Sequence, residues 1–151
     1  FMEALDDPFG RLEALLAQYP LGLGATAIIV DFHGEATSEK MAFAHFADGR
    51  VSAVLGTHTH VPTADAQILP GGTAYISDAG MCGDYDSVIG MQKAPSVRRF
   101  VTKMPGEKPQ PAEGEATLCG VFVVIDEATG LAQRIEPVRV GGRLAPHLPR
   151  L

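Results

Sequence analysis

"ATAIIVDFHGEATSEKMAFAHFADGRVSAVLGTHTH" (residues 25–60) is the stretch of sequence that decides the fold. It opens with an apolar, β-branched run at 25–32, continues into a helix-like segment at 38–49, and returns in a second apolar run at 51–56. Continuous apolar runs of this kind are typical of strands buried on both faces of a sheet. Strand, helix and strand in this order form a βαβ unit, so we predict two parallel, neighbouring strands.

The flanking segments extend this to an α/β fold in one domain, residues 1–151. Upstream, residues 7–22 are typical of a helix, with Asp7 as its N-cap. Thr37 or Ser38 is expected to cap the second helix. Downstream, the sequence predicts a hairpin around 70–72, a strand at 97–104, a mobile loop at 105–115 and a hairpin at 116–142.

Charge and cysteine content limit the classes of partner. The net charge is −6, and the one basic cluster, at 97–100, is expected on the solvated side of a strand, so we expect no polymeric nucleic acid. No apolar run approaches the roughly 20 residues that cross a bilayer, so we expect no membrane contact. Cys82 and Cys119 lack CxxC spacing and are expected to be buried free thiols in the reducing cytoplasm.

Three of the five histidines form the candidate site. His33 follows the first predicted strand, and His58 and His60 follow the second, at the carboxyl edge where such sheets bind ligands. In extended backbone, residues i and i+2 point to one side, so His58 and His60 could serve one ion or two neighbouring ions. Imidazole commonly binds zinc, iron, manganese and nickel. His45, inside the helix, is expected to be structural, and His147, in the tail, to be solvated.

Four carboxylates lie near these histidines in the sequence: Asp31, Glu35, Asp65 and Asp78. Asp31 could orient His33 through its second ring nitrogen, or accept a hydrogen bond from a backbone amide instead. Glu35 could stabilise the N-terminus of the second helix. Three histidines could form an open zinc site, or half of a two-metal centre that also needs an anionic bridge. A hydrogen-bonded histidine cluster without metal is the alternative.

"DFHGEATSEK" (31–40) and "GTHTHVPTADAQILPGGTAYISDAGM" (56–81) resemble the C-terminal half of the YmdB-like metallophosphoesterases, which belong to the calcineurin-like superfamily. The resemblance covers about residues 1–140. It implies part of a β-sandwich flanked by helices (αββα) with a two-metal site at the strand ends, and an N-terminal half that is absent here. It also implies a metal-dependent phosphodiesterase, acting on 2′,3′- and 3′,5′-cyclic nucleotides through a hydroxide that bridges two iron or manganese ions.

By the same resemblance, His33 and His58 would ligate one ion and His60 the other. The family's other ligands, among them asparagines, and its proton donor lie in the N-terminal half, and this sequence contains no asparagine. No catalytic residue beyond the metal ligands is therefore assigned. We expect at most one ion in this chain, no activity by the chain alone, and pairing with the missing half or with another copy.

Two alternatives stand beside this hypothesis. The chain could be a non-catalytic regulatory or interaction module that keeps a relic metal site. It could also be an unrelated hydrolase with a single zinc ion.

Overall fold

The computed structural model describes residues 7–150. Within that range the chain forms three helices and seven strands. The helices are α1 (Pro8–Gln18), α2 (Thr37–Ala47) and α3 (Lys93–Thr102). The strands are β1 (Ile29–His33), β2 (Ala53–Thr57), β3 (Gln67–Ile68), β4 (Ala74–Ile76), β5 (Gly83–Asp84), β6 (Ala116–Ile125) and β7 (Ala132–Val140).

The predicted parallel pair is confirmed. β1 pairs with β2 in a register that sets Val30 opposite Val54 and His33 opposite Thr57. β4 lies parallel on the other side of β2, and β3 runs antiparallel to β4 as the predicted hairpin, giving the order β1-β2-β4-β3. His33 ends β1 and His58 directly follows β2, so both lie at the carboxyl edge of this sheet.

The two helices near the start of the chain begin in different ways. Asp7 caps α1 as predicted, and its Oδ1 accepts hydrogen bonds from two amides of the first turn at 3.0 and 3.1 Å. The expected cap of α2 is wrong, because its N-cap is Ala36 and no side chain caps it. Thr37 already has helical geometry, and Ser38 follows it inside the helix.

These helices cover one face of the four-stranded sheet. Phe43 of α2 lies between Phe32 of β1 and Phe9 of α1, with ring centroids 4.4 and 5.5 Å apart respectively. The buried cluster continues across the sheet to Val54 and Tyr75. Burying these large side chains is the main contribution holding the helices on the sheet.

The other face of the sheet is covered by the β6–β7 hairpin. Ala53 and Ala74 meet Ala132 in a second buried cluster, with Leu55 and Ile135 packed around it. Small side chains at the contact let the two backbones approach closely. The fold is therefore mixed α/β, with helices on one face of a sheet and a β-hairpin on the other. The complete αββα sandwich stays a prediction.

The strand predicted at 97–104 is wrong, because this segment lies largely in helix α3. Its apolar residues recur at helical spacing, at Val97, Phe100, Val101 and Met104, and Pro95 stands in the first turn, where proline is tolerated. α3 buries none of its residues, and Phe100 is 76% exposed. The basic cluster therefore lies on a helix rather than on a strand.

Three smaller expectations also have outcomes. Cys119 is buried as expected, but Cys82 is exposed. His147 is half-buried rather than solvated, since its Nδ1 donates to the carbonyl of Pro137 at 2.6 Å. Residues 105–115, all described, form no helix or strand and contain one isolated bridge residue, Pro111.

Among residues 7–150, no helix has the length and apolar character that a membrane span requires.

Candidate functional site

The ends of β1 and β2 bring two of the predicted ligands together. Nε2 of His33 lies 3.2 Å from Nδ1 of His58, and the two rings are nearly perpendicular, with an interplanar angle of 83°. Both side chains are accessible from solvent. The prediction that these residues meet at one sheet edge is confirmed.

A hydroxyl group fixes the tautomer of His33. Thr57 Oγ1 donates to Asp31 Oδ1 at 2.8 Å, because a carboxylate can only accept. Thr57 has a single hydroxyl proton, so its oxygen must accept at 2.9 Å from Nδ1 of His33. His33 therefore carries its proton on Nδ1, and the lone pair of Nε2 points at His58. Asp31 does orient His33, but through Thr57 rather than directly.

A carboxylate fixes the tautomer of His58 in the same way. Nε2 of His58 lies 2.5 Å from Oε2 of Glu35, so Nε2 carries the proton. Glu35, expected at the start of α2, thus contacts a candidate ligand. With both rings neutral, the lone pairs of His33 Nε2 and His58 Nδ1 face each other across 3.2 Å. Facing lone pairs repel, so this contact calls for a cation between them, either a proton or a metal ion.

The distance between the two nitrogens matches a shared metal ion. At a metal–nitrogen distance of about 2.0–2.1 Å, two imidazole nitrogens are about 3.4 Å apart in a tetrahedral site and about 2.9 Å apart at a right angle. The observed 3.2 Å lies between these limits. The donor chemistry and spacing of His33 and His58 therefore fit one divalent ion.

His60 lies apart from this pair. Its Nδ1 donates to the carbonyl of Ile89 at 3.0 Å, which leaves the lone pair on Nε2. The backbone of His58 has φ 127° and that of His60 φ 67°, so the turn is not extended and the expected same-side arrangement is wrong. Within residues 7–150, no three His, Cys, Asp or Glu side chains are arranged to hold a single ion.

Positive φ is uncommon for residues other than glycine and concentrates at functional sites. Three of the four non-glycine residues with positive φ in the described chain belong to this region: His58, His60 and Ile89. Each such conformation costs on the order of 1–3 kcal/mol and needs surrounding contacts to hold it.

The other two carboxylates are occupied elsewhere. Asp65 accepts from the hydroxyl and the amide of Ser77, and Asp78 forms a buried ion pair with Lys40. Burial works against ionisation of Asp78, but hydrogen bonds from Thr59 and Gly80 outweigh it and lower its pKa. Neither carboxylate is placed to bridge ions at His33 and His58.

Sequence reasoning missed Thr57 and Lys40. Thr57 gave no signal beyond its place directly before the HxH segment. Lys40 did give one, because it occupies the buried stripe of α2 together with Phe43, Ala44 and Ala47, at helical spacing. A lysine in an apolar stripe indicates a buried ion pair, because a lone buried ammonium is too costly.

Comparison with known proteins gives consistent matches. The profile described as YmdB-like protein matches residues 1–138. The 2′,3′-cyclic-nucleotide 2′-phosphodiesterase of Bacillus subtilis is 48% identical over 140 residues, which cover 93% of this chain and 52% of that protein. A hypothetical protein from Thermus thermophilus has a similar crystal structure, with a TM-score of 0.84 and 45% identity, covering 95% of this chain and 54% of that one.

A crystal structure titled as a novel phosphatase of Mycoplasma pneumoniae is also similar, with a TM-score of 0.81 and 41% identity. The match covers 89% of this chain and 47% of that one. The chain spans about half the length of the relatives it matches. The prediction that the sequence is a C-terminal half stays a prediction.

Proposed function

The chain belongs to the family of YmdB-like proteins, a family with phosphoesterase enzymes among its members, and we propose that it carries metal-binding histidines of a divalent-metal phosphodiesterase. The observation that supports it best is the 3.2 Å approach of His33 Nε2 to His58 Nδ1, while the second nitrogen of each ring contacts another side chain. The proposed substrates are small phosphodiesters of the cyclic-nucleotide class, because the relative from Bacillus subtilis is named for 2′,3′-cyclic nucleotides.

The orienting partners of the three histidines support this proposal. Metal-bound histidines usually donate their second ring N–H to a carboxylate, a carbonyl or water. His60 donates to a backbone carbonyl, His58 to Glu35, and His33 to Thr57, which is itself bonded to Asp31. Each ring thus has one nitrogen fixed and the other available.

We propose that His33 and His58 hold one ion, and that His60 presents Nε2 to a second ion, with iron or manganese as the metals. When bound, such ions neutralise phosphate charge and lower the pKa of bound water. In this proposal the histidines of the chain bind the ions, and their hydrogen-bond partners orient the imidazole rings. Glu35, Asp31 and Thr57 hold the rings in place, so neither ring has to rotate when the ion arrives.

We propose further that this chain alone holds at most one ion and is inactive or nearly so. A two-metal site needs an anionic bridge, and Asp65 and Asp78 are occupied while Asp31 and Glu35 orient histidines. The bridge and the proton donor would then come from polypeptide outside this sequence. The open edge of β1, beside an apolar groove of about 480 Å³ along α1, is where we place that polypeptide.

Hydrolysis of 2′,3′-cyclic AMP with added Mn²⁺ tests the proposal. Two proteins are assayed: the 151-residue chain, and the product of the whole reading frame that contains it. The second should hydrolyse the substrate, and His58→Ala should lower its rate by more than the roughly 10–100-fold typical of removing an orienting partner. His45→Ala is the matched control and should change the rate less than about twofold, because His45 is exposed on α2.

Two results would count against the proposal. An unchanged rate in His58→Ala would remove the metal-ligand role. Turnover by the 151-residue chain alone would contradict the statement that it is inactive by itself.

A further inference from the structure

The buried ammonium of Lys40 joins three parts of the chain directly beneath the histidines. Lys40 is 1% exposed, and its Nζ donates to Thr57 O at 2.9 Å, Ser77 O at 3.0 Å and Asp78 Oδ2 at 3.3 Å. An ammonium has three N–H donors, so all three are satisfied. The contacts tie α2 to the ends of β2 and β4, which are the two strand ends next to the turn.

Asp78 connects this pair to the turn itself. Its Oδ2 accepts from the amide of Thr59 at 2.7 Å, between the two histidines, and its Oδ1 accepts from the amide of Gly80 at 2.9 Å. The backbone carbonyl of Asp78 accepts from the amide of Thr63 at 3.1 Å. One residue therefore holds both the beginning and the end of the loop that carries His58.

The turn needs such support, because His58 and His60 both have positive φ. Sparsely populated backbone conformations persist only where surrounding contacts over-determine them. The amide of Thr59 lies between the two strained residues, and Asp78 accepts its hydrogen bond. Lys40 fixes Asp78 and the carbonyl of Thr57 at the same time.

We infer that Lys40 and Asp78 are positioning residues, which hold the turn at 58–60 in the shape that aims Nδ1 of His58 at His33. Their role in metal binding rests on the proposed function, whereas their role in shaping the turn does not. Neither residue contacts the candidate ion. They act through the backbone of Thr57 and Thr59.

The test compares Lys40→Met with the double variant Lys40→Met/Asp78→Leu, in which a side chain of similar shape has no oxygen to accept from the Thr59 amide. The single variant leaves a buried carboxylate unpaired and can fail to fold, whereas the double variant removes both charges. Lys93→Met is the matched control, because Lys93 forms an exposed ion pair with Asp86 at 2.6 Å. Three quantities are measured: the hydrogen exchange of the Thr59 amide, the backbone chemical shifts of His58 and His60, and the dissociation constant for Mn²⁺.

In the double variant we expect the Thr59 amide to exchange at least about tenfold faster, while the Val54 amide in the buried strand keeps its protection. The backbone shifts of His58 and His60 should move away from positive-φ values. The Mn²⁺ dissociation constant should rise about 10–100-fold, the range for lost orienting contacts. Lys93→Met should leave all three measurements unchanged.

A folded double variant with unchanged Thr59 exchange and unchanged histidine shifts would overturn the inference, whatever its stability. Unchanged exchange together with wild-type Mn²⁺ affinity would show that the ion pair stabilises the fold without shaping the site. Failure of the wild-type protein to bind Mn²⁺ would count against the proposed function alone. The exchange and shift measurements would then still decide the positioning role.

Discussion

Nε2 of His33 faces Nδ1 of His58 across 3.2 Å, although the two residues are 25 positions apart in the sequence. The contact exists because β1 and β2 pair in parallel, with His33 opposite Thr57. Both strands end at the same edge, where His33 is the last residue of β1 and His58 directly follows β2. Changes that shift β2 against its neighbours should therefore affect this contact before they affect the helical side of the sheet.

The hydroxyl of Thr57 should control metal affinity. Thr57→Val removes the group that accepts from His33 and donates to Asp31, while it keeps the shape of the side chain. His33 can then adopt the wrong tautomer, so we expect the dissociation constant for Mn²⁺ to rise about 10–100-fold. Thr57→Ser keeps the hydroxyl and should bind within about threefold of wild type. Equal affinities in both variants would contradict the relay through Thr57.

Gly56 should be intolerant of any side chain. A Cβ at this position would lie 1.8 Å from the carbonyl oxygen of Ser77, which is fixed backbone in the neighbouring chain segment. Overpacking against backbone costs typically 1–3 kcal/mol and occasionally more, so we expect Gly56→Ala to lose about 3 kcal/mol of unfolding free energy or more. Urea unfolding measures the loss. Gly120→Ala is the control, because its Cβ would meet nothing within 4 Å.

A stable Gly56→Ala protein would mean that β2 and the segment after β4 are farther apart than described. The Gly120→Ala variant should keep the wild-type unfolding free energy or gain up to about 1 kcal/mol, because alanine is less costly than glycine to order in a strand.

The Asp65 carboxylate should make the free energy of unfolding depend on pH. Burial works against its ionisation, but hydrogen bonds from Ser77 and Thr63 outweigh this and lower its pKa. A group with a lowered folded pKa contributes stability above its unfolded pKa of about 3.9, and loses it as pH falls through the folded value. Asp65→Asn should therefore be less stable than wild type at pH 7.

The difference between Asp65→Asn and wild type should shrink as the pH falls below about 4. Urea unfolding at pH 7, 5 and 3 measures it. Glu107→Gln, an exposed change in the 105–115 loop, is the control and should follow wild type throughout. A gap that stays constant with pH would show that the Asp65 carboxylate has no lowered pKa.

Two phenylalanines should differ sharply in their effect on stability. Phe43 is 3% exposed and packs against Phe9 and Phe32, whereas Phe100 on α3 is 76% exposed. Phe43→Ala should cost about 3–5 kcal/mol of unfolding free energy, the range for a buried phenylalanine. Phe100→Ala should stay within about 0.5 kcal/mol. Similar losses in both variants would place α3 in the core.

The parallel pair and the contact between His33 and His58 could be predicted from sequence, because both follow from topology. Apolar runs and the βαβ order fix which strand ends share an edge. The different roles of His33, His58 and His60 could not be predicted from sequence. They depend on the φ values of His58 and His60, and no local pattern predicts that two histidines will adopt them.

The error at α3 has a different cause. The apolar residues at 97, 100, 101 and 104 have helical spacing, but the segment also contains the β-branched and aromatic residues that are typical of strands. The role of Lys40 escaped notice because a helical lysine is usually solvated. Its place in the buried stripe, beside Phe43, was the available signal.

Metal content of His33, His58 and His60 variants tests the central claim most directly. The 151-residue chain is saturated with Mn²⁺ or Zn²⁺, passed through a desalting column, and its metal measured by mass spectrometry. We predict about one ion per chain, lost in His33→Ala and in His58→Ala but kept in His60→Ala and His45→Ala. No bound ion in the wild-type chain, or an ion that survives both His33→Ala and His58→Ala, would contradict the account.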